Sequence, residues 1–241
     1  MQYVAVWSCF SLYHLNSLLD AMIQVLYQIK TKMYKTRKAA GLRLGAPLHE
    51  HVCAVHTCRC GSTVDTRGTH GLSCKFSAGR QSRHAHVNDL LQRTCVNVGV
   101  AASKEPSGLL PGSQLRPDGV SLIPWTAGRC AAWDFTCPDT LAESHLQYTS
   151  ATAGAAAERA STLKKQKYST LQASHLFVPV AVETLEAWND EGMQLVKEVG
   201  RRTTAITSER REAAFLFQRL SVAVQRGNML SVLGTLSSVD D

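Results

Sequence analysis

Residues 129–138 read Arg129-Cys130-Ala131-Ala132-Trp133-Asp134-Phe135-Thr136-Cys137-Pro138, an apolar and aromatic run with Gly128 before it and Pro138 closing it. A run of this kind between turn residues predicts a strand. Side chains alternate across a strand, so Asp134 and Thr136 share one face while Trp133, Phe135 and Cys137 take the other. An acid within such a strand is costly unless it is paired, hydrogen-bonded or bound to a cation. Just upstream, Arg116-Pro117-Asp118-Gly119 sets a second acid inside a second strand candidate, residues 115–123. Two carboxylates on neighbouring strands supply the oxygen ligands that a divalent ion takes.

The flanking sequence extends this pair into a fold. Val87, Leu90, Leu91 and Val96 recur at helical spacing and predict a helix over 82–98, and Val98 to Glu105 approaches a strand before the turn-rich Pro106-Ser107-Gly108. Downstream, Thr140-x-x-Glu143 has the form of a capping box, and the Ala-rich 151–168 predicts a helix by propensity. Leu176 to Glu183 reads as a fourth strand, whose Pro179 is tolerated most easily at a sheet edge. The order is helix, three strands, helix, strand, an α/β arrangement. A last helix over 208–226 carries Leu216, Leu220 and Val224 on one stripe, with Gly227-Asn228 as its stop.

The 241 residues hold one ordinary core with extensions or two small domains, and a hydrophobic content of 44% fits a globular protein and excludes a disordered polymer. A formal charge of +7 favours polyanionic partners. The eight cysteines, with no secretory leader, read as reduced thiols, which predicts a nuclear or cytoplasmic protein. Residues 3–29 are apolar, but His14, Asn16 and Asp20 interrupt them, so an amphipathic helix is expected there and no membrane span. Lys30, Lys32, Lys35, Arg37 and Lys38 follow, as a nuclear signal or a solvated helix end. The expected organisation is a helical leader over 1–39, a Cys/His-rich region over 40–79, an α/β domain over 80–233 and a tail over 234–241.

That Cys/His-rich region has a ligand pattern of its own. Cys58-x-Cys60, nine residues, His70, three residues and Cys74 offer three thiolates and an imidazole, which suits tetrahedral zinc, and Gly61, Gly68 and Gly71 provide for tight turns. One residue between the first two cysteines is tighter than the usual two to four. Cys53 or His56 could stand in for one of the four.

Taken in order, Cys58/Cys60/His70/Cys74, Arg83-His84 with Asn88, Arg116-Pro117-Asp118, Asp134-x-Thr136 and Lys164-x-x-Lys167-Tyr168 resemble the restriction-enzyme-like endonuclease region of site-specific non-LTR retrotransposons. That region belongs to the PD-(D/E)xK nuclease superfamily and follows a CCHC zinc knuckle. The resemblance covers roughly residues 40–233 and rests on the shared order of the motifs. It implies a four-stranded mixed sheet flanked by helices, structural zinc, and Mg²⁺ on Asp118 and Asp134 for hydrolysis of DNA to a 3′-hydroxyl and a 5′-phosphate. Thr136 stands where the superfamily usually has lysine. In the retrotransposon branch the lysine has moved into the following helix, where Lys164 matches it, with Lys167 and Tyr168 completing the motif and Lys165 as an alternative. Glu105 and Glu183, at strand ends, are further candidates as metal ligands or acid/base groups.

Ordinary roles exist for both main acids, a turn acid at Asp118 and a structural ion-pair partner at Asp134. The chain has no aromatic-x-Asp-Asp motif of a reverse transcriptase, so a fragment severed from such a module is expected, with DNA, or alternatively RNA, as partner. The rival readings are a catalytically silent zinc-containing nucleic-acid binder and an interaction module using the leader helix. Arg211, Gln218, Arg219, Gln225 and Arg226 form a polar stripe along the last helix, with Arg219 and Arg226 as candidate phosphate contacts or as a solvated face.

Overall fold

The computed structural model describes residues 41–42, 55–110, 112 and 114–236. The leader, its basic cluster and Cys53 lie outside them. A two-stranded antiparallel sheet, β1 (His56–Thr57) and β2 (Thr63–Val64), is followed by a short helix α1 (His70–Ser73) and the long α2 (Ala78–Asn97). Strands β3 (Ala102–Lys104), β4 (Gly119–Ser121) and β5 (Ala131–Thr136) come next, then α3 (Glu143–Thr149) and α4 (Ala155–Lys167). A 3₁₀ turn (Ser169–Ala173) leads to β6 (Leu176–Ala181), and α5 (Asp190–Thr207) and α6 (Glu212–Leu233) close the described chain. No helix among the described residues is long and apolar enough to cross a membrane.

The fold is mixed α/β. The larger sheet has the order β3-β4-β5-β6, antiparallel from β3 to β5 and parallel between β5 and β6. β6 is an edge strand, so the missing N–H of Pro179 leaves no ladder partner wanting. Along β5, Ala131, Trp133 and Phe135 face a core built with Val87, Leu91 and Cys95 of α2, Leu195, Val196 and Val199 of α5, and Leu216, Leu220 and Val224 of α6. Ala132 faces the other way, with Val120, Phe177, Tyr168 and Leu171. Fully burying an apolar side chain of this size contributes roughly 1.5–3 kcal/mol, so this two-sided packing holds β5 at the centre of the sheet. Gly119 allows the Trp133 indole to lie across β4, because a Cβ there would overlap the ring.

Three expectations from the sequence are corrected, and one helix is added to them. Gly227-Asn228 does not stop the last helix, which runs to Leu233. At residue 227 α6 crosses α2 so closely that a Cβ would overlap that of Arg83, and the buried Asn228 accepts from Arg83 Nη1 while its amide donates 2.7 Å to the Thr184 carbonyl. The residues that look like a terminator are a crossing point. Thr140 caps nothing: α3 begins after Ala142, and the Thr140 hydroxyl instead accepts the Leu185 N–H at 3.1 Å. The Ala-rich helix starts at Ala155, after a separate short α3. Helix α5 has no counterpart in the sequence reading, although Asn189 followed by Asp190 and Glu191 and then Leu195, Val196 and Val199 is a legible helix start.

The Cys/His-rich segment packs on the C-terminal third of α6. Leu42, Cys58, Val64, Leu72 and Cys74 form one cluster with Met229 and Val232, and Gly71 lets α1 approach the Ser231 and Val232 backbone.

Candidate functional site

Two constellations stand out. In the first, the ligand atoms of Cys58, Cys60, His70 and Cys74 all lie within 4.8 Å of one another. Positive-φ Gly61 and Gly68 form the turns that bring them together. The Cys58 and Cys74 sulfurs are 3.7 Å apart, and Cys60 Sγ lies 3.1 Å from His70 Nε2. A tetrahedral zinc at about 2.3 Å from each thiolate sets sulfurs about 3.8 Å apart, so the spacing fits the ion. This Cys₃His cluster can hold a metal ion such as zinc. A hydrogen bond with the Ser62 side chain is the main cause holding the Cys60 thiol down to about 6, while burial pushes Cys74 up. His56 is not part of the cluster: its Nε2 lies 3.1 Å from both the carbonyl and the hydroxyl of Thr235.

The second constellation surrounds β5. Gly119 pairs with Trp133 and Val120 with Ala132, so one further step of the antiparallel register sets Asp118 opposite Asp134. Asp134 is 3% exposed. Its Oδ1 accepts from the Tyr168 hydroxyl at 2.8 Å, and that hydroxyl lies 2.7 Å from the Arg116 carbonyl. Oδ2 meets the Lys164 ammonium in an ion pair. Lys164 and Tyr168 sit one turn apart at the C-terminal end of α4, which explains how both reach one carboxylate. Burial pushes the Tyr168 hydroxyl up, and its hydrogen bond to Asp134 adds to this, so it remains a donor.

Asp118 lies just before β4. Its Oδ2 accepts the Phe135 N–H at 2.6 Å and lies 3.0 Å from His84 Nε2. His84, on α2, follows Arg83 in the Arg83-His84 motif, which by itself assigns it no role. Its contact with Asp118 arises from the packing of α2 beside Phe135, which nothing local in the sequence reveals. The hydrogen bond to Asp118 is the largest cause raising His84 above its ordinary 6.5; burial opposes it, the charges of Asp118 and Asp134 add to it, and Lys164 lowers it. A raised folded-state value stabilises the fold fully below the unfolded value and loses that contribution as pH climbs through the folded one. Without divalent ions, the stability gap between the native protein and His84→Gln should therefore be widest below 6.5 and close as pH rises, read from thermal midpoints. A gap that stays constant with pH would show that the pair makes no such contribution.

The other candidates are distributed differently. Lys165 pairs with Glu191 at 2.8 Å, and Lys167 lies over the Tyr168 ring, so Lys164 is the lysine at Asp134. Glu105 is exposed and close to Asp118 through its backbone, its N–H donating 3.0 Å to the Asp118 carbonyl. Glu183 is buried and committed elsewhere: its Oε1 accepts the Ala156 and Ala157 N–H groups at 2.9 and 3.3 Å, neutralising the start of α4. It caps the start of α4. Arg219 and Arg226 are exposed on α6 and do not line the cavity beside Asp118.

That cavity, about 780 Å³, runs between the first half of α2, the end of β3 and the end of β5, and its walls include His84, Glu105, Asp118 and Thr136. Cys137 also lines it, and burial pushes its thiol up to about 12. No protein-family model and no curated protein matches this chain.

Proposed function

We propose that the β5 site is the centre of a metal-dependent DNA endonuclease of the PD-(D/E)xK type, derived from a site-specific non-LTR retrotransposon. The supporting observation is the convergence on Asp134 of Lys164 and of Tyr168, 34 residues away in sequence, with Asp118 one residue beyond the Gly119–Trp133 pair of the neighbouring strand and a cavity opening at Asp118. A structural ion pair needs no second acid across the strand and no cavity at its edge.

The donor set fits Mg²⁺: two carboxylates from adjacent strands offer hard oxygens, and the buried Asp134 Oδ2 has a cation for a partner and no directional hydrogen bond. Asp118 and Asp134 would hold the ion. When bound it supplies polarisation of the scissile phosphodiester and acidification of water. Around it, Tyr168 orients Asp134 through its hydroxyl, Lys164 brings positive charge to where the phosphate becomes more negative, and His84 fixes the Asp118 carboxylate. The Cys₃His cluster has a structural role beside this site.

A second reading, a silent nucleic-acid-binding remnant, is favoured by the presence of a protein partner at each carboxylate, the His84 imidazole at Asp118 and the Lys164 ammonium at Asp134. Cleavage of plasmid DNA by the purified chain with Mg²⁺, with Asp118→Asn beside it, separates the two. The nuclease reading expects nicking by the native protein, lost in the variant. Binding of DNA without cleavage by either would leave the remnant.

A further inference from the structure

The cavity beside Asp118 holds more positive charge than the reaction site uses. Lys75, Arg80, Arg83 and Lys104 line it against two carboxylates, Glu105 and Asp118. Lys104 is paired with Asp89 and Asp118 with His84. Arg83 is only 2% exposed, and among the described residues its partner is the Asn228 amide and its Nε has none. A buried guanidinium without a counter-anion is costly, and an anion entering from the cavity would relieve it. Ser77, 6% exposed, precedes α2; its side chain caps nothing and its Oγ has no partner. At this end of the 20-residue helix the Ser77 and Arg80 N–H groups bond the Cys74 and Ser77 carbonyls, which leaves those of Ala78 and Gly79 with no partner inside the helix. Exposed Lys75 and Arg80 stand at the same end.

We propose that Lys75, Ser77, Arg80 and Arg83 at the N-terminus of α2 form a phosphate site that takes a backbone phosphate of the nucleic acid, one other than the phosphate at Asp118 and Asp134. This rests on reading the cavity as a nucleic-acid cleft. It assigns the anchor to α2, whereas the sequence alone offers the Arg219 and Arg226 face of α6, as phosphate contacts or as a solvated face. An anchored neighbouring phosphate fixes the strand without any base contact, so the contribution is independent of sequence.

The test uses the full chain, a short DNA duplex and no divalent ion, with affinity followed against KCl concentration. In Lys75→Gln/Arg80→Gln, two exposed positions, the log–log salt slope should flatten by about two units, one for each cation lost, and Ser77→Ala should weaken binding at fixed salt. Arg219→Gln/Arg226→Gln should keep the native slope. An unchanged slope in the α2 variant, or a flattening confined to the α6 variant, overturns the proposal. Free phosphate is the other source of this chemistry, and ³¹P line broadening of inorganic phosphate gives the second arm. A native protein that binds no DNA but broadens the phosphate line, an effect lost in the α2 variant, would keep the anion site and overturn the nuclease reading. With neither DNA nor phosphate affected, the site itself is refuted.

Discussion

Replacing Lys164 with methionine is expected to lower Mg²⁺-dependent cleavage by about 10²–10³-fold, the range seen when one preorganised positive or hydrogen-bonding group is removed from developing charge. It should also destabilise the metal-free protein. Asp134 loses its cation while its side chain is only 4% exposed. Breaking a fully buried pair costs about 3–5 kcal/mol, and because the Lys164 side chain is 24% exposed and reachable by water, about 1–3 kcal/mol is expected here. A divalent ion can replace the missing charge, so Mg²⁺ should raise the thermal midpoint of Lys164→Met more than that of the native protein. Lys165→Met, which removes a solvent-screened pair with Glu191, and Lys167→Met should leave cleavage near native. Full cleavage by Lys164→Met, or equal loss from all three lysine variants, would remove Lys164 from the site.

The second large effect concerns the Cys₃His cluster. One zinc per chain is expected by elemental analysis, with occupancy lost in Cys60→Ser and His70→Ala. The segment around the ligands has two two-residue strands and one four-residue helix, too little to fold alone, so metal binding should supply folding free energy on the order of 10 kcal/mol. Because Cys58, Leu72 and Cys74 pack on Met229 and Val232, and His56 lies beside Thr235, chelation should spread into α6. Hydrogen exchange would report it as lost protection at residues 229–235, while β5 stays protected. Zinc content unchanged in both variants would remove the cluster as the metal site.

What could be read from the chain was chemistry carried by residue type and pattern carried by period. Cysteine and histidine at short spacing name their ligand class, so the Cys₃His cluster was legible without neighbours. Alternation across 131–136 set Asp134 apart from Trp133 and Phe135, and one helical turn between Lys164 and Tyr168 put both on one side of α4. Glycine and acid motifs were less informative. Gly227-Asn228 has the composition of a stop and Thr140-x-x-Glu143 that of a cap, yet each takes its role from a distant partner, Arg83 and Leu185. A local rule scores only the cheapest local use of a residue, and tertiary packing can outweigh it by a few kcal/mol.

The sequence by itself determined the candidate metal ligands, with Cys53 and His56 still in play, the two acids, the approximate strands and helices and the placing of Lys164 and Tyr168 on one side of a helix, because these depend on side-chain chemistry and on periods of two and 3.6 residues. Only the tertiary structure decided which acids remain available and which are already used. It set His84 against Asp118, turned Glu183 into the cap of α4, sent Lys165 to Glu191 and left Arg83 buried with an amide for a partner. Each of these depends on how helices cross a sheet many residues away. A carboxylate or guanidinium has the same formula in the sequence whether it is paired or not, and only the distance to its partner makes it a cap, a ligand or an anchor.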